Sequence, residues 1–197
     1  AFNLHNVRRL SQALANRLLR LNMEAQGALI GYDHRFLSDT AAAASAEVFA
    51  GNNIRTILLP EAAPTPLITY ATVEAGAGYG LAFTASHNPP EECGFKVRDE
   101  KGGAIAPAGL QQIEALIPLA GDEAAIKRVA LATALANGQV TYFDPKPAYL
   151  AHLANLIDVT PIKNAGLKIV VDNMWGNGAG WLSEILKGGS TEVIEVH

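Results

Sequence analysis

Residues 79–96 read YGLAFTASHNPPEECGFK, and the first six of them decide the class of fold. Tyr79–Thr84 is an apolar run too short for a helix and ended by a polar, proline-bearing loop, which reads as a buried strand. Working backwards, Ile54–Leu59 (IRTILL) is a second such run, stopped by Pro60, and Ala28–Asp33 (ALIGYD) is a third that ends in a polar turn. Between these strands lie helical stretches. Pro64-Thr65-Pro66 opens one that runs to about Ala75, proline being suited to a first turn. Ser38 or Asp39 can cap an alanine-rich helix that ends before Gly51-Asn52-Asn53. Ahead of the first strand, Val7, Leu10, Leu14, Leu18 and Leu21 recur at the three/four spacing of a core-facing helix. Strands alternating with helices of this length imply βαβ units. The fold class is therefore α/β, a three-layer α/β/α domain around a mostly parallel sheet.

Working forwards, Phe95–Asp99 alternates, Glu100–Gly103 is a turn and Ala104–Ala106 resumes, a hairpin that makes the sheet mixed. Pro107 starts a helix to Ile117, and Asp122–Asn137, free of Pro and Gly, reads as one more. Val140–Phe143 is a short strand or extended link, and Pro145–Ile157 a connector helix. Thr160-Pro161 and Asn164-Ala165-Gly166 mark a boundary. Leu167–Asp172 is a clean buried strand, followed by a turn at Gly176–Gly180, a helix at Trp181–Leu186 and a further strand at Thr191–Val196. The expected division is a first domain over 1–144, a connector helix and linker over 145–166, and the opening βαβ of a second, similar domain over 167–197. One such unit cannot cover both faces of a parallel pair. It packs on the first domain or belongs to a larger one continued beyond this chain.

Composition narrows the function. The 197 residues are 49% hydrophobic and 17% charged, which excludes wholesale disorder. A net charge of −4 argues against nucleic-acid binding through a broad basic face. A single cysteine excludes an intrachain disulfide framework. No apolar run approaches the roughly 18 residues needed to cross a bilayer. The Arg-rich N-terminus superficially suits a transit peptide, but its helical apolar spacing favours a packed helix. The expected location is the cytoplasm.

Chemistry concentrates in Thr84–Lys96, just past the carboxyl end of the third strand, where open α/β sheets place their ligands. Ser86 is a candidate nucleophile and His87 a candidate acid or base. Pro89-Pro90 stiffens the loop, Gly94 permits a close turn and Lys96 supplies a cation. The set suits phosphoryl chemistry, although Ser, His, Asn and Pro are also ordinary loop residues. A hydrolase triad is poorly supported. Neighbours in extended chain point to opposite sides, so His87 is badly placed to serve Ser86, and no G-x-S-x-G elbow exists. Gly176-Asn177-Gly178-Ala179-Gly180 lacks the spacing of a dinucleotide fingerprint. Glu91-Glu92 reads as solvated surface.

TASHNP followed by GFK resembles the phosphoserine loop of the alpha-D-phosphohexomutases, the phosphoglucomutase/phosphomannomutase superfamily. GYDHRFLSD (Gly31–Asp39), PTP (Pro64–Pro66), Gly102-Gly103 and LKIVVD (Leu167–Asp172) resemble further motifs of that family in the same order. The resemblance implies that Ser86 carries a phosphoryl group. It passes the group to a sugar monophosphate and takes back the other phosphate of the resulting bisphosphate. It implies Mg²⁺, with the phosphate on Ser86 as one ligand, and an activator of the glucose 1,6-bisphosphate type. His87 and Lys96 match acid/base or phosphate-contact positions. Arg35 matches a family position near the active-site loop; it and Asn88 are candidate substrate- or phosphate-binding residues, Arg35 being equally open to a solvated or structural ion pair. The implied partners are a hexose phosphate and domains II–IV of the same enzyme, with neither nucleic acid nor membrane.

The departures are specific. Cys93 stands where the family commonly has Asn, either altering the turn or serving as a small apolar filler. The family's Gly-Thr-Ser-Gly-x-Arg-Gly motif before the first helix, and any D-x-D-x-D pattern for the metal, are not found in this sequence. The chain alone is accordingly expected to be inactive. The alternative is a non-catalytic phosphate-binding or interaction module.

Overall fold

The structure is a computed structural model that describes residues 2–197. The chain divides into two compact units, Ala1–Asp144 and Pro145–His197. The first unit runs α1 (Leu4–Arg20), β1 (Ala28–Tyr32), α2 (Ser38–Gly51), β2 (Thr56–Leu58), α3 (Thr65–Glu74), β3 (Tyr79–Phe83), β4 (Phe95–Arg98), α4 (Pro107–Glu114), α5 (Leu131–Ala136) and β5 (Val140–Tyr142). Its five strands lie in the order β4-β3-β1-β2-β5. β1 pairs in parallel with β2 and β3, β2 does so with β5, and β4 alone runs antiparallel, against β3. This is the mostly parallel, mixed α/β sheet expected of the alternation.

The two faces of the sheet are both apolar but differ in where glycine falls. Ala28, Ile30, Leu58, Tyr79, Leu81, Phe83 and Val140 share one buried cluster with Leu14 and Leu18 of α1 and Phe49 of α2. α3 covers the opposite face, and there the strands carry glycine. A Cβ on Gly31 would stand 2.6 Å from Ile68 of α3, and one on Gly80 would strike Thr72. Leu29 and Ile57 also lie on this face, and the two glycines among them let the backbone approach α3 closely. In α1, Asn3 caps the helix by accepting from Asn6 N at 2.8 Å. Val7, Leu14 and Leu18 are buried as the spacing required, while Leu21 stands exposed at the C-cap.

Four local expectations are corrected. The strand expected to be buried at Leu167–Asp172 forms, but its residues are exposed or half-buried, with Val170 66% exposed. Residues 122–137 do not form one helix. A single 3-10 turn at Glu123–Ala125 gives way to extended chain, and only Leu131–Ala136 is helical. The segment is drawn out because its amides bond across to other elements: Lys127 N to Gln12 Oε1 at 3.0 Å, Val129 N to Glu47 O at 3.0 Å and Leu131 N to Glu47 Oε1 at 3.2 Å. The hairpin after β4 is reduced to one bridge, Arg98 to Ala104. Neither Ser38 nor Asp39 is the N-cap of α2; Leu37 is, in left-handed conformation and without a side-chain cap bond.

The second unit holds α6 (Lys146–Leu156), α7 (Thr160–Lys163), β6 (Lys168–Asp172), α8 (Trp181–Leu186) and β7 (Glu192–Val196), with β6 and β7 parallel. Glu195 of β7 accepts from Gly180 N at 2.7 Å and from Ser183 Oγ at 2.7 Å, tying the strand to the start of α8. Among the described residues no helix is long and apolar enough to cross a membrane.

Candidate active site

Two loops leave the same end of the sheet because β1 and β3 are parallel neighbours. Asp33 N donates to Phe83 O at 3.1 Å, so the turn after β1 lies beside the loop after β3. Thr84 N donates to Gly94 O at 3.1 Å, which closes the base of that second loop. Below it, Phe83 and Phe95 meet edge to face, ring centroids 4.7 Å apart. The loop therefore rises from a fixed base of paired strands.

Ser86 sits at its turn with φ of 60°, a left-handed conformation that serine adopts rarely. Buried Thr84 holds it there, its Oγ1 accepting from Ser86 N at 3.0 Å. The kink overturns the expectation that Ser86 and His87 point apart. That expectation holds for extended chain, whereas here Ser86 Oγ lies 3.3 Å from His87 Nδ1 and both side chains are exposed. Farther along, Asn88 N donates to Ala85 O at 3.1 Å, Glu92 N to Pro89 O at 3.0 Å and Asn88 Nδ2 to Glu92 Oε2 at 2.8 Å. Asn88 is thus engaged within the loop. Lys96 stands on β4 opposite Ala82, on the sheet face that α3 covers, half-buried and without an ion pair among the described residues. It forms no hydrogen bond with Ser86 or His87.

Arg35, from the turn after β1, reaches under the loop. Its Nη1 donates to Pro89 O at 2.6 Å and Glu92 O at 3.0 Å; its Nη2 donates to Ser86 O and Asn88 O, each at 2.8 Å. Nε donates to Asp33 Oδ2 at 3.2 Å. Asp33 also accepts from Arg35 N at 3.0 Å and Ser38 Oγ at 2.8 Å. With side chains only 13% and 10% exposed, Arg35 and Asp33 need these partners to offset the loss of solvation. Ser38 Oγ in turn lies 3.4 Å from Cys93 Sγ. Cys93 has no positive φ and packs, partly buried, against the core, so the turn tolerates it as a small filler. Asp33, Ser38 and Thr84 are the supporting residues that sequence reasoning missed. All three lie within the quoted stretches GYDHRFLSD and TASHNP, and their supporting task gained meaning once β1 was known to adjoin β3.

The sequence pattern that defines phosphoglucomutase/phosphomannomutase alpha/beta/alpha domain I matches residues 1–122. This chain belongs to that family. The phosphoglucomutase of Staphylococcus saprophyticus is 27% identical over 186 residues, which cover 93% of this chain and 33% of that protein. The phosphoglucosamine mutase of Synechocystis is 31% identical over 189 residues, covering 93% and 37% respectively. A solved structure from Thermus thermophilus, assigned as a phosphomannomutase, superposes with a TM-score of 0.84 at 31% identity over 99% of this chain and 42% of that one. The chain thus spans about a third to two fifths of the length of these relatives.

Proposed function

We propose that the chain is the phosphoserine-bearing portion of a phosphohexomutase, which interconverts hexose 1-phosphate and 6-phosphate through a bisphosphorylated sugar. Residues 1–144 form its domain I, 145–166 the connector and 167–197 the opening of domain II. The observation that carries this reading is Ser86. Its Oγ is exposed beyond the carboxyl end of β3, on a left-handed kink, 3.3 Å from His87 Nδ1 and on a loop held from beneath.

In the first half-reaction the bond from Ser86 Oγ to phosphorus breaks as one from the sugar hydroxyl oxygen forms. The hydroxyl loses a proton and the serine oxygen gains one. His87, whose Nδ1 lies 3.3 Å from Ser86 Oγ, would deliver that proton and retrieve it when the sugar's other phosphate returns to Ser86. Lys96 contributes a positive charge from the adjoining strand. A glucose 1,6-bisphosphate-type activator would supply the initial phosphoryl group.

The family's Mg²⁺ would offset developing charge, with the phosphate on Ser86 as one ligand. The residues of this chain do not complete such a site. Asp33 is committed to Arg35 and Ser38, and Glu92 accepts from Asn88. Among the described residues no group of three or more His, Cys, Asp or Glu side chains could hold a metal.

Phosphoryl transfer depends on positioning and electrostatics more than on one nucleophile, so the 197-residue chain alone should not turn over. A coupled assay with glucose, mannose and glucosamine 1-phosphates tests both statements. The intact enzyme should convert at least one and lose turnover on Ser86→Ala. Full activity of Ser86→Ala, or turnover by residues 1–197 alone, would refute the respective statement.

A further inference from the structure

We infer that Arg35 is a positioning residue: its guanidinium presents Ser86 by binding the back of the loop, and it does not contact the substrate's phosphate. The inference rests on the reading of Ser86 as phosphoryl carrier and assigns a distinct task within that site. All five N–H groups of the guanidinium are used, four on the carbonyls of Ser86, Asn88, Pro89 and Glu92 and one on Asp33. An arginine has no sixth donor, so none is left to bind phosphate while the loop holds this shape.

The loop sequence fits this clamp. In a trans peptide the N–H points opposite to the C=O, and no peptide of the described chain is cis. Turning the carbonyls of Asn88 and Pro89 inward would therefore face two N–H groups outward, but the next residues are Pro89 and Pro90, which have none to leave unpaired. The carbonyl of Ser86 turned inward sends the His87 N–H outward, away from Arg35, and that N–H makes no bond within the loop. By the same rule the Glu92 carbonyl turns the Cys93 N–H away, so the clamp fixes the kink at Ser86 and leaves the His87 and Cys93 N–H groups facing away from Arg35. Asp33 sets the height of the guanidinium and is itself steadied by Ser38. A lysine would keep the charge but offers three donors from a single point, and could not span four carbonyls and a carboxylate.

The test uses the intact enzyme with Arg35→Met, Arg35→Lys, Asp33→Asn and Ser86→Ala. Amide exchange over residues 86–93, read by mass spectrometry, should accelerate at least tenfold in Arg35→Met. Turnover should fall by about 100-fold, the order expected for an ångström-scale misplacement, with KM for the sugar phosphate within about twofold of wild type. Arg35→Lys should restore neither. A KM raised tenfold or more and restored by lysine would overturn the inference in favour of direct phosphate contact. Unchanged loop exchange would overturn it as well. If Arg35→Met fails to fold, Asp33→Asn decides, since it loosens the anchor without removing the guanidinium. Faster loop exchange then supports the clamp, and wild-type exchange refutes it. Retained turnover in Ser86→Ala would sink the phosphoserine reading while the exchange data still judge the clamp.

Discussion

Replacing Gln12 by leucine should destabilise the first unit by about 3 kcal/mol, a figure that follows from the groups left without partners. Gln12 and Asn52 are 2% and 7% exposed and exchange two amide bonds, each of 2.9 Å. Gln12 Oε1 also accepts from Lys127 N at 3.0 Å, which fastens the extended chain of 126–130. Leucine fills the space but leaves Asn52 Oδ1 and the Lys127 N–H unpaired, at about 1–3 kcal/mol each, partly offset by its apolar burial. Asn52→Leu alone should cost about 1–2 kcal/mol, because Gln12 keeps Asn16 and Lys127. The double variant removes two facing groups at once and should fall short of the sum by about 1–2 kcal/mol. Urea unfolding followed by circular dichroism reads this. With a slope of about 2 kcal/mol/M, the single variant's midpoint drops by about 1.5 M. Amide exchange over 122–130 should quicken in parallel. A Gln12→Leu midpoint within about 0.2 M of wild type, or strict additivity in the cycle, would refute the reasoning.

Gly94→Ala should disturb the base of the Ser86 loop, since its Cβ would stand 2.7 Å from Thr84 O. Overpacking of this kind costs about 1–3 kcal/mol, and a shift of the loop should lower turnover by roughly tenfold or more, both measurable on the intact enzyme. In the second unit, hydrogen bonds from Gly180 N–H first and Ser183 hydroxyl second hold the Glu195 carboxyl below its usual pKa of 4.5. A carboxyl with a depressed folded pKa stabilises the fold above its unfolded value, and that stabilisation disappears as pH falls through the folded one. Carbon-detected NMR should find Glu195 titrating below 4.5, with the β7–α8 contact loosening in that acid window and Glu195→Gln removing the dependence. A normal midpoint would contradict this.

The sheet was legible because each of its buried strands is an apolar run bounded by turn residues. The runs 28–33, 54–59 and 79–84 each hold a strand, at Ala28–Tyr32, Thr56–Leu58 and Tyr79–Phe83. The 122–137 stretch misled because it lacks Pro and Gly, and nothing in its own sequence shows that Glu47 and Gln12, far away in the chain, would take its amides. The candidate site divided along the same line. Ser86, His87, Lys96, Asn88 and Arg35 were marked by residue type and motif. The geometry joining Ser86 to His87 needed a φ of 60°, which Thr84 holds from the start of the motif and Arg35 from a distant turn. Local pattern reveals which residues are present; long-range hydrogen bonds determine how they face.

The measurement closest to the central claim is the location of the phosphate. The intact enzyme, incubated with glucose 1,6-bisphosphate, is digested and its phosphopeptide sequenced by mass spectrometry. The account predicts one phosphoryl group per chain, on Ser86, discharged when hexose monophosphate is added. Phosphate on any other residue, or a Ser86 that stays unmodified while the enzyme turns over, would contradict it.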